Sequence, residues 1–150
     1  MALTYVLDDD RERLDYDTVW HYLSTDAYWN RWRRREDVEL QLRGAWRVIG
    51  AYVEGSDELV GFARAVSDGV SDGYLADVYV APSHRGRGIG GRMVEAMVEE
   101  GLGARFHWFL LTRDAHELYA HYGFRTPNER VMERPGRFAR ATDDSRSNKS

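Results

Sequence analysis

The chain has 150 residues, a length that usually folds as one domain around one core. Its net charge of −4 provides no basic field for nucleic acid, and no apolar run approaches the roughly 20 residues that span a bilayer. The absence of cysteine excludes disulfides, Cys-ligated zinc and a catalytic thiol, and it fits a reducing cytoplasm. The histidines fall into no metal-binding spacing, so we expect no bound metal. From the absence of cysteine we expect a cytoplasmic protein.

The first third of the chain predicts one strand and two helices. Leu3–Leu7 reads as a strand, and Asp15 or Asp17 can cap the helix that follows. A second helix is expected to end at Gly44. The connection between the helices, Tyr28–Arg35, is rich in tryptophan and arginine.

Three strands are predicted next, at Trp46–Val53, Leu59–Val66 and Tyr74–Val80. Short loops with glycine and aspartate join them, which is typical of hairpins. Adjacent strands joined in this way form an antiparallel sheet.

The last third predicts a helix that ends at Gly101 and an apolar strand at His107–Thr112. Asp114 with Glu117 three residues later has the spacing of a capping box for a short helix, and Val131–Glu133 could form a final strand. The fold class is therefore mixed α/β (α+β) over residues 1–135. The polar composition of residues 136–150 predicts a disordered tail.

Glycine fills four of the six positions from Gly86 to Gly91, between a strand and a helix. Such a cluster lets backbone N–H groups approach a ligand, and the helix dipole favours a phosphate there. Arg85 and Arg87 could add charge for a diphosphate. The plain alternative is a strand-to-helix turn with two solvated arginines.

A dinucleotide site is a second interpretation, because Gly86-x-Gly88-x-x-Gly91 fits its glycine spacing. That site requires a parallel βαβ unit and an acidic residue near the end of the next strand. Here the preceding strands are hairpin-linked, and His107–Thr112 contains no acid. No Gly-Lys-Ser/Thr follows the loop, which excludes a P-loop.

Two motifs together resemble those of the GNAT superfamily of N-acetyltransferases. They are Arg85-x-x-Gly88-x-Gly90 and Leu118-Tyr119-x-x-x-Gly123-Phe124. The resemblance implies a GNAT-type fold: a central, mostly antiparallel sheet that splays between its fourth and fifth strands, flanked by about four helices. It also implies acetyl-CoA as the co-substrate.

The resemblance further implies which residues bind this donor. Backbone amides of Val78, Tyr79 and Val80 would contact the pantetheine and the thioester carbonyl. The diphosphate would lie against the loop residues Arg85, Gly86, Arg87, Gly88, Ile89, Gly90 and Gly91.

Tyr119 matches the family's tyrosine acid, which protonates the departing thiolate; the alternative is a core aromatic on a short helix. Asp77 is the only acid in its strand and the best candidate for a base. It could instead orient the amine or pair with a nearby arginine, and an ordered water chain could replace a direct base. We expect Tyr122 to belong to the core.

The family resemblance places the acceptor under the connection between the first two helices. Tyr28 and Trp29, with Trp32, could form an aromatic pocket for it, although packing between the helices explains them equally well. The neighbouring arginines would usually form a solvated face, with an acidic substrate or the phosphates of CoA as the alternative ligand; they are Arg31, Arg33, Arg34 and Arg35.

These features predict an enzyme that moves acetyl from acetyl-CoA to a primary amine of a small molecule or peptide. A non-catalytic CoA-binding sensor with the same fold is the alternative. We expect no nucleic-acid or membrane partner, and the resemblance allows a homodimer.

Overall fold

A computed structural model describes residues 2–137 of the chain. Five strands form one sheet: β1 (Tyr5–Asp8), β2 (Arg47–Val53), β3 (Leu59–Ser67), β4 (Asp72–Val80) and β5 (His107–Leu110). Four α-helices lie in the described part: α1 (Tyr16–Thr25), α2 (Arg35–Gly44), α3 (Ile89–Val98) and α4 (His116–Ala120). The strand order is β1-β2-β3-β4-β5, and all pairs are antiparallel except β4 with β5. The predicted fold class is confirmed.

The sheet has an apolar core on each face. On the first, hereafter the α1/α2 face, Val19 and Leu23 of α1 pack with Phe62 of β3, because residues four apart share one side of a helix. Asp15 begins α1 by accepting a hydrogen bond from the backbone N–H of Asp17. On the second, hereafter the α3 face, apolar residues of α3 cover β2, β3 and β4.

A β-bulge at Ala76 changes the direction of the side chains along β4. Arg64 of β3 lies opposite Asp77 and Ala65 lies opposite Leu75, so Ala76 has no partner on β3. In a regular strand Leu75 and Asp77 would share a face. The extra residue leaves Leu75 in the core of the α3 face and turns Asp77 to the α1/α2 face.

The parallel pairing of β4 with β5 stops halfway along β4. It runs from the Asp72–His107 pair to the Leu75–Leu110 pair, whereas β4 continues to Val80. From the bulge onward, the edge of β4 that faces away from β3 has no strand partner among the described residues. The predicted splay between the fourth and fifth strands is therefore present, and the gap opens at Ala76.

The predicted final strand at Val131–Glu133 is wrong. These residues form no strand, and Met132 is 93% exposed. A short apolar segment forms a strand only where a neighbouring edge accepts its backbone hydrogen bonds. Val131 donates its N–H to the nearby carbonyl of Asn128 instead.

The predicted capping box at Asp114 and Glu117 is also wrong. Ala115 occupies the N-cap of α4, and its N–H donates to the hydroxyl of Thr112 at 3.0 Å. The carboxylate of Asp114 instead accepts a hydrogen bond from the hydroxyl of Tyr28 at 3.2 Å. The carboxylate of Asp114 thus bonds to Tyr28, which is distant in sequence, and not to the backbone at the start of α4.

No helix among residues 2–137 is both long and apolar enough to cross a membrane. The predicted disordered tail lies, from residue 138 onward, outside the described residues.

Candidate functional site

The loop from Gly86 to Gly91 leaves its backbone N–H groups unpaired at the start of α3. Gly86 and Gly88 have φ values of 76° and 80°, a left-handed conformation that glycine adopts without strain. Gly88 is the N-cap of α3. No N–H group from Gly86 to Gly91 donates to an acceptor within residues 2–137. These donors and the positive end of the helix dipole suit a bound phosphate.

The two arginines of this loop have different surroundings. The side chain of Arg85 folds back from the loop: its Nε donates to the carbonyl oxygen of Val80 at 2.8 Å, and its Nη2 pairs with Asp26 at 2.5 Å. The side chain of Arg87 is exposed and forms no hydrogen bond or ion pair with the other described residues. Arg87 therefore differs from Arg85 in having its whole guanidinium available to a ligand.

Val78, Tyr79 and Val80 lie along the open edge of β4, between the bulge and the loop. The side chains of Val78 and Val80 pack on the α3 face. The ring of Tyr79 is buried on the α1/α2 face, and its hydroxyl donates to Asp26 at 2.9 Å. This bond lowers the pKa of the Asp26 carboxyl, which remains charged beside Arg85. The side chains thus anchor the strand while its outer edge stays open.

Asp77 lies inside a buried cluster of charged groups. Its Oδ2 accepts from Nη1 of Arg33 at 3.0 Å and from Nε of Arg64 at 2.7 Å. Its Oδ1 accepts from Nη2 of Arg33 at 3.1 Å and from Nε1 of Trp29 at 2.6 Å. Burial raises the pKa of this carboxyl, but the two guanidinium groups outweigh burial and hold the pKa below its ordinary value.

This environment argues against the predicted role of Asp77 as a base. A carboxylate with a lowered pKa and four donors around its two oxygens is a poor acceptor for another proton. The alternative interpretation, pairing with nearby arginines, describes its contacts. Asp77 also joins the sheet to the α1–α2 connection through Trp29 and Arg33.

Arg33 differs from the other arginines of the α1–α2 connection. It is buried, and besides Asp77 it bonds to the side chain of Gln41 at 2.8 Å and to the carbonyl oxygen of Asn30 at 3.3 Å. Arg31, Arg34 and Arg35 are exposed, as the interpretation of a solvated face predicts. No periodicity in this connection distinguishes Arg33, so only the tertiary structure identifies it.

Arg64 was missed at the sequence level, although a signal was present. It is the one charged residue within the apolar strand β3, and arginine is almost never fully buried unless it is paired. A lone arginine in such a strand indicates a buried anion nearby. In the structure that anion is Asp77.

Tyr119 is half-buried on α4, and its ring meets that of Phe124 edge-on at 5.7 Å. Burial, with a smaller contribution from Tyr28, raises the pKa of the Tyr119 phenol to about 12, so it stays protonated at neutral pH. Its hydroxyl forms no hydrogen bond within residues 2–137 and is still reachable by solvent. A protonated, unpaired phenol can donate to a ligand.

Tyr28 and Trp29 occupy the α1–α2 connection near this phenol. Their rings meet edge-on at 5.1 Å, and the guanidinium of Arg113 lies 3.9 Å from the centre of the Tyr28 ring. Tyr28 is exposed, whereas Trp29 is half-buried against the core of the α1/α2 face. Tyr28 is therefore accessible at the surface, whereas Trp29 packs against the core, and the acceptor pocket stays a prediction.

Tyr122 lies against the start of α3. It is half-buried, as expected of a core residue. A Cβ added at Gly91 would lie 2.9 Å from the Tyr122 hydroxyl oxygen, so the glycine leaves room for the phenol. Tyr119 and Tyr122 are thus two phenols packed against the same core.

Within the described residues, no group of three or more His, Asp or Glu side chains is placed to hold a metal ion. The observed donors are instead backbone N–H groups, two arginines and a neutral phenol. This set suits an anionic ligand with an extended chain.

Comparison with known proteins agrees with this geometry. The family model described as acetyltransferase (GNAT) domain matches residues 45–126. A protein of Gibberella zeae is 32% identical over 108 residues, which are 71% of this chain and 59% of that relative. Its name contains the words "putative acetyltransferase".

Solved structures show the same fold. A GNAT-family protein from Xanthomonas campestris pv. campestris superposes with a TM-score of 0.81 at 32% identity, covering 89% of this chain and 94% of that one. A protein from Deinococcus radiodurans R1 superposes with a TM-score of 0.65 at 19% identity, covering 87% and 88%. The family match includes the bulged strand, the glycine loop and Tyr119, and it leaves out the α1–α2 connection.

Proposed function

The chain belongs to the GNAT acetyltransferase family, and from this premise we propose that it transfers acetyl from acetyl-CoA to a primary amine of a small molecule or peptide. Attack by the amine would be direct, in a ternary complex, since the chain has no cysteine to form a thiol-linked intermediate. One observation carries the proposal: the open edge of β4 runs into a loop of unpaired N–H groups.

The chain's residues fit the donor in two places. The N–H groups from Gly86 to Gly91 would hold the diphosphate, with the guanidinium of Arg87 beside them. The open edge of β4 from Val78 to Val80 would bond the pantetheine amides as a further strand would. When bound, the donor supplies an acetyl thioester at the gap between β4 and β5.

Two groups of the chain would act on the reacting atoms. A backbone N–H near Val80, on the open edge, would stabilise negative charge on the carbonyl oxygen. The hydroxyl of Tyr119 would donate to the leaving sulfur, which its raised pKa and lack of other partners support. Because Asp77 is fully paired, the amine would lose its proton through water.

A non-catalytic CoA-binding domain is the second candidate, and the engaged state of Asp77 favours it. An enzyme with a direct base would need a free carboxylate or imidazole near the gap, and Asp77 is committed to two arginines. The unpaired hydroxyl of Tyr119 favours the enzyme, because a half-buried aromatic kept only for packing needs no hydroxyl.

Two measurements on the same protein separate these candidates. Calorimetry gives the affinity for CoA, and a thiol-release assay with acetyl-CoA and a panel of primary amines gives turnover. We expect CoA binding together with amine-dependent thiol release. Tight CoA binding without amine-dependent release on any amine would establish the sensor and refute the enzyme.

A further inference from the structure

Arg64 is a buried arginine with unused hydrogen-bonding capacity. Its side chain is 7% exposed, and Nε donates to Asp77. Its two terminal nitrogens, Nη1 and Nη2, have no partner among the described residues. The only buried side-chain nitrogen or oxygen there that lacks both a partner and contact with solvent is the hydroxyl of Tyr52. Both terminal nitrogens of Arg64 are therefore in contact with solvent, although the side chain as a whole is nearly covered.

Counted over direct ion pairs, the cluster around Arg64 has one negative charge fewer than it has positive charges. Two guanidinium groups, those of Arg33 and Arg64, face a single carboxylate, that of Asp77. The other partners of Arg33 are the neutral oxygens of Gln41 and Asn30. An uncompensated charge in a buried position is costly, so a site that keeps one there gains from binding an anion.

The position of the cluster relates it to the proposed reaction. Arg64 lies opposite Asp77 and next to the bulge at Ala76, where the gap between β4 and β5 opens. Its side chain is on the α1/α2 face, beside the connection that holds Trp29. Val80, which leads to the glycine loop, is three residues beyond Asp77 on β4, or about 10 Å away at the rise of a strand. A diphosphate at that loop is therefore distant from Arg64.

We propose, building on the acetyltransferase function above, that the acceptor carries a carboxylate and that Arg64 binds it through Nη1 and Nη2. The two terminal nitrogens of a guanidinium match the two oxygens of one carboxylate. Because Arg64 bonds to Asp77, on the strand that borders the gap, the amine and the carboxylate of the acceptor would be a few bonds apart. The substrate class is a free amino acid.

The first test compares each amino acid with its own methyl ester. Glycine, alanine and phenylalanine serve as acceptors beside their esters, and kcat/KM is measured for each. Amine basicity alone would favour the esters, whose amines are less protonated. We expect the free acids to be preferred by about 10- to 100-fold, the range for a hydrogen bond to a charged group. Equal or better turnover of the esters would overturn the proposal and leave the acetyltransferase function intact.

Variants of Arg64 assign the preference to its side chain. Arg64→Met leaves Asp77 paired with Arg33 alone and should reduce the preference for the acid to less than about 3-fold. Arg64→Lys keeps the positive charge but lacks the two parallel N–H donors of a guanidinium, so it should retain part of the preference. Arg34→Gln removes an equal charge from an exposed position and should leave the preference unchanged. An undiminished preference in folded Arg64→Met would overturn the proposal.

A binding measurement decides the proposal even if no amine is acetylated. N-acetylglycine and N-acetylphenylalanine, with their methyl esters, are titrated into the protein with CoA present, and calorimetry gives the affinities. Tighter binding of the acids in the wild type than in Arg64→Met or Arg64→Lys supports the carboxylate site. Equal binding of acid and ester to the wild type overturns it, whatever the turnover assay gives.

Discussion

Replacing Tyr119 with phenylalanine removes one oxygen atom that has no hydrogen-bond partner within residues 2–137. The packing of the ring against Phe124 is kept. We therefore expect the free energy of unfolding to change by less than about 1 kcal/mol. The affinity for CoA should change little, because the hydroxyl would contact only the sulfur and lies outside the loop that would bind the diphosphate.

The size of the catalytic effect follows from the acidity of this phenol. The pKa of Tyr119 is raised to about 12. A simple thiol such as cysteine has a pKa of roughly 8.5, so full proton transfer from this phenol to a thiolate is uphill by about 5 kcal/mol. A hydrogen bond to the developing thiolate is then the main contribution, worth about 1.5–3 kcal/mol. We expect kcat to fall by about 10- to 100-fold.

The assay is steady-state thiol release with the best acceptor, between pH 7 and pH 10. Since the phenol titrates only near pH 12, the ratio of the wild-type rate to the Tyr119→Phe rate should stay constant over this range. Tyr122→Phe is the matched control: it removes the other half-buried phenol of this region and should change kcat less than about 3-fold. An unchanged rate in Tyr119→Phe, or an equal loss in both variants, would refute the reasoning.

Three further outcomes are expected. Arg87→Ala should weaken CoA binding about 10-fold in calorimetry. Arg85→Ala should weaken CoA binding less, because that guanidinium is already paired with Asp26. A larger loss of affinity in Arg85→Ala than in Arg87→Ala would contradict this assignment. In urea denaturation, Gly103→Ala should destabilise the fold by about 1–3 kcal/mol because a Cβ there overlaps a backbone carbonyl of α3, whereas Gly44→Ala, with open space, should not destabilise it. Asp77→Asn should lower the free energy of unfolding by about 3–5 kcal/mol at pH 7, because it removes the buried negative charge between two guanidinium groups. The pKa of this carboxyl is lower in the folded protein than the unfolded value of about 3.9. Its contribution to the free energy of unfolding is therefore present above about pH 3.9 and is lost as the pH falls through the folded pKa, so the stabilities of variant and wild type should converge in acid.

The bulge at Ala76 links the proposed donor and acceptor sites. It lies where the pairing of β4 with β5 stops, and it turns Asp77 away from the apolar α3 face. Asp77 then holds Arg64 next to the start of the gap and Arg33 in the connection above it. A single extra residue in one strand would therefore serve both the proposed opening for a thioester and the proposed basic site for an acceptor carboxylate.

The sequence by itself determined the order of elements as far as α4 and the position of the glycine loop. Hydrophobic periodicity and turn residues are local signals, and they predicted the meander, α1 and α3 with small errors at the ends. The conformation of Gly86 and Gly88 is equally local, since few other residues accept their φ values. The family resemblance likewise depended on motifs of short span.

The tertiary structure alone decided which polar groups are free to act. Asp77 was a candidate base until its partners were known, and those partners come from residues 29, 33 and 64, far from it in sequence. Arg85 and Arg87 look equivalent in the loop, but only Arg85 meets Asp26. Whether a charged group can bind a ligand depends on which opposite charges the fold brings within about 4 Å, and no local pattern encodes that distance. The glycine loop can thus be predicted from the sequence, whereas the balance of charges at the proposed acceptor site depends on the tertiary structure.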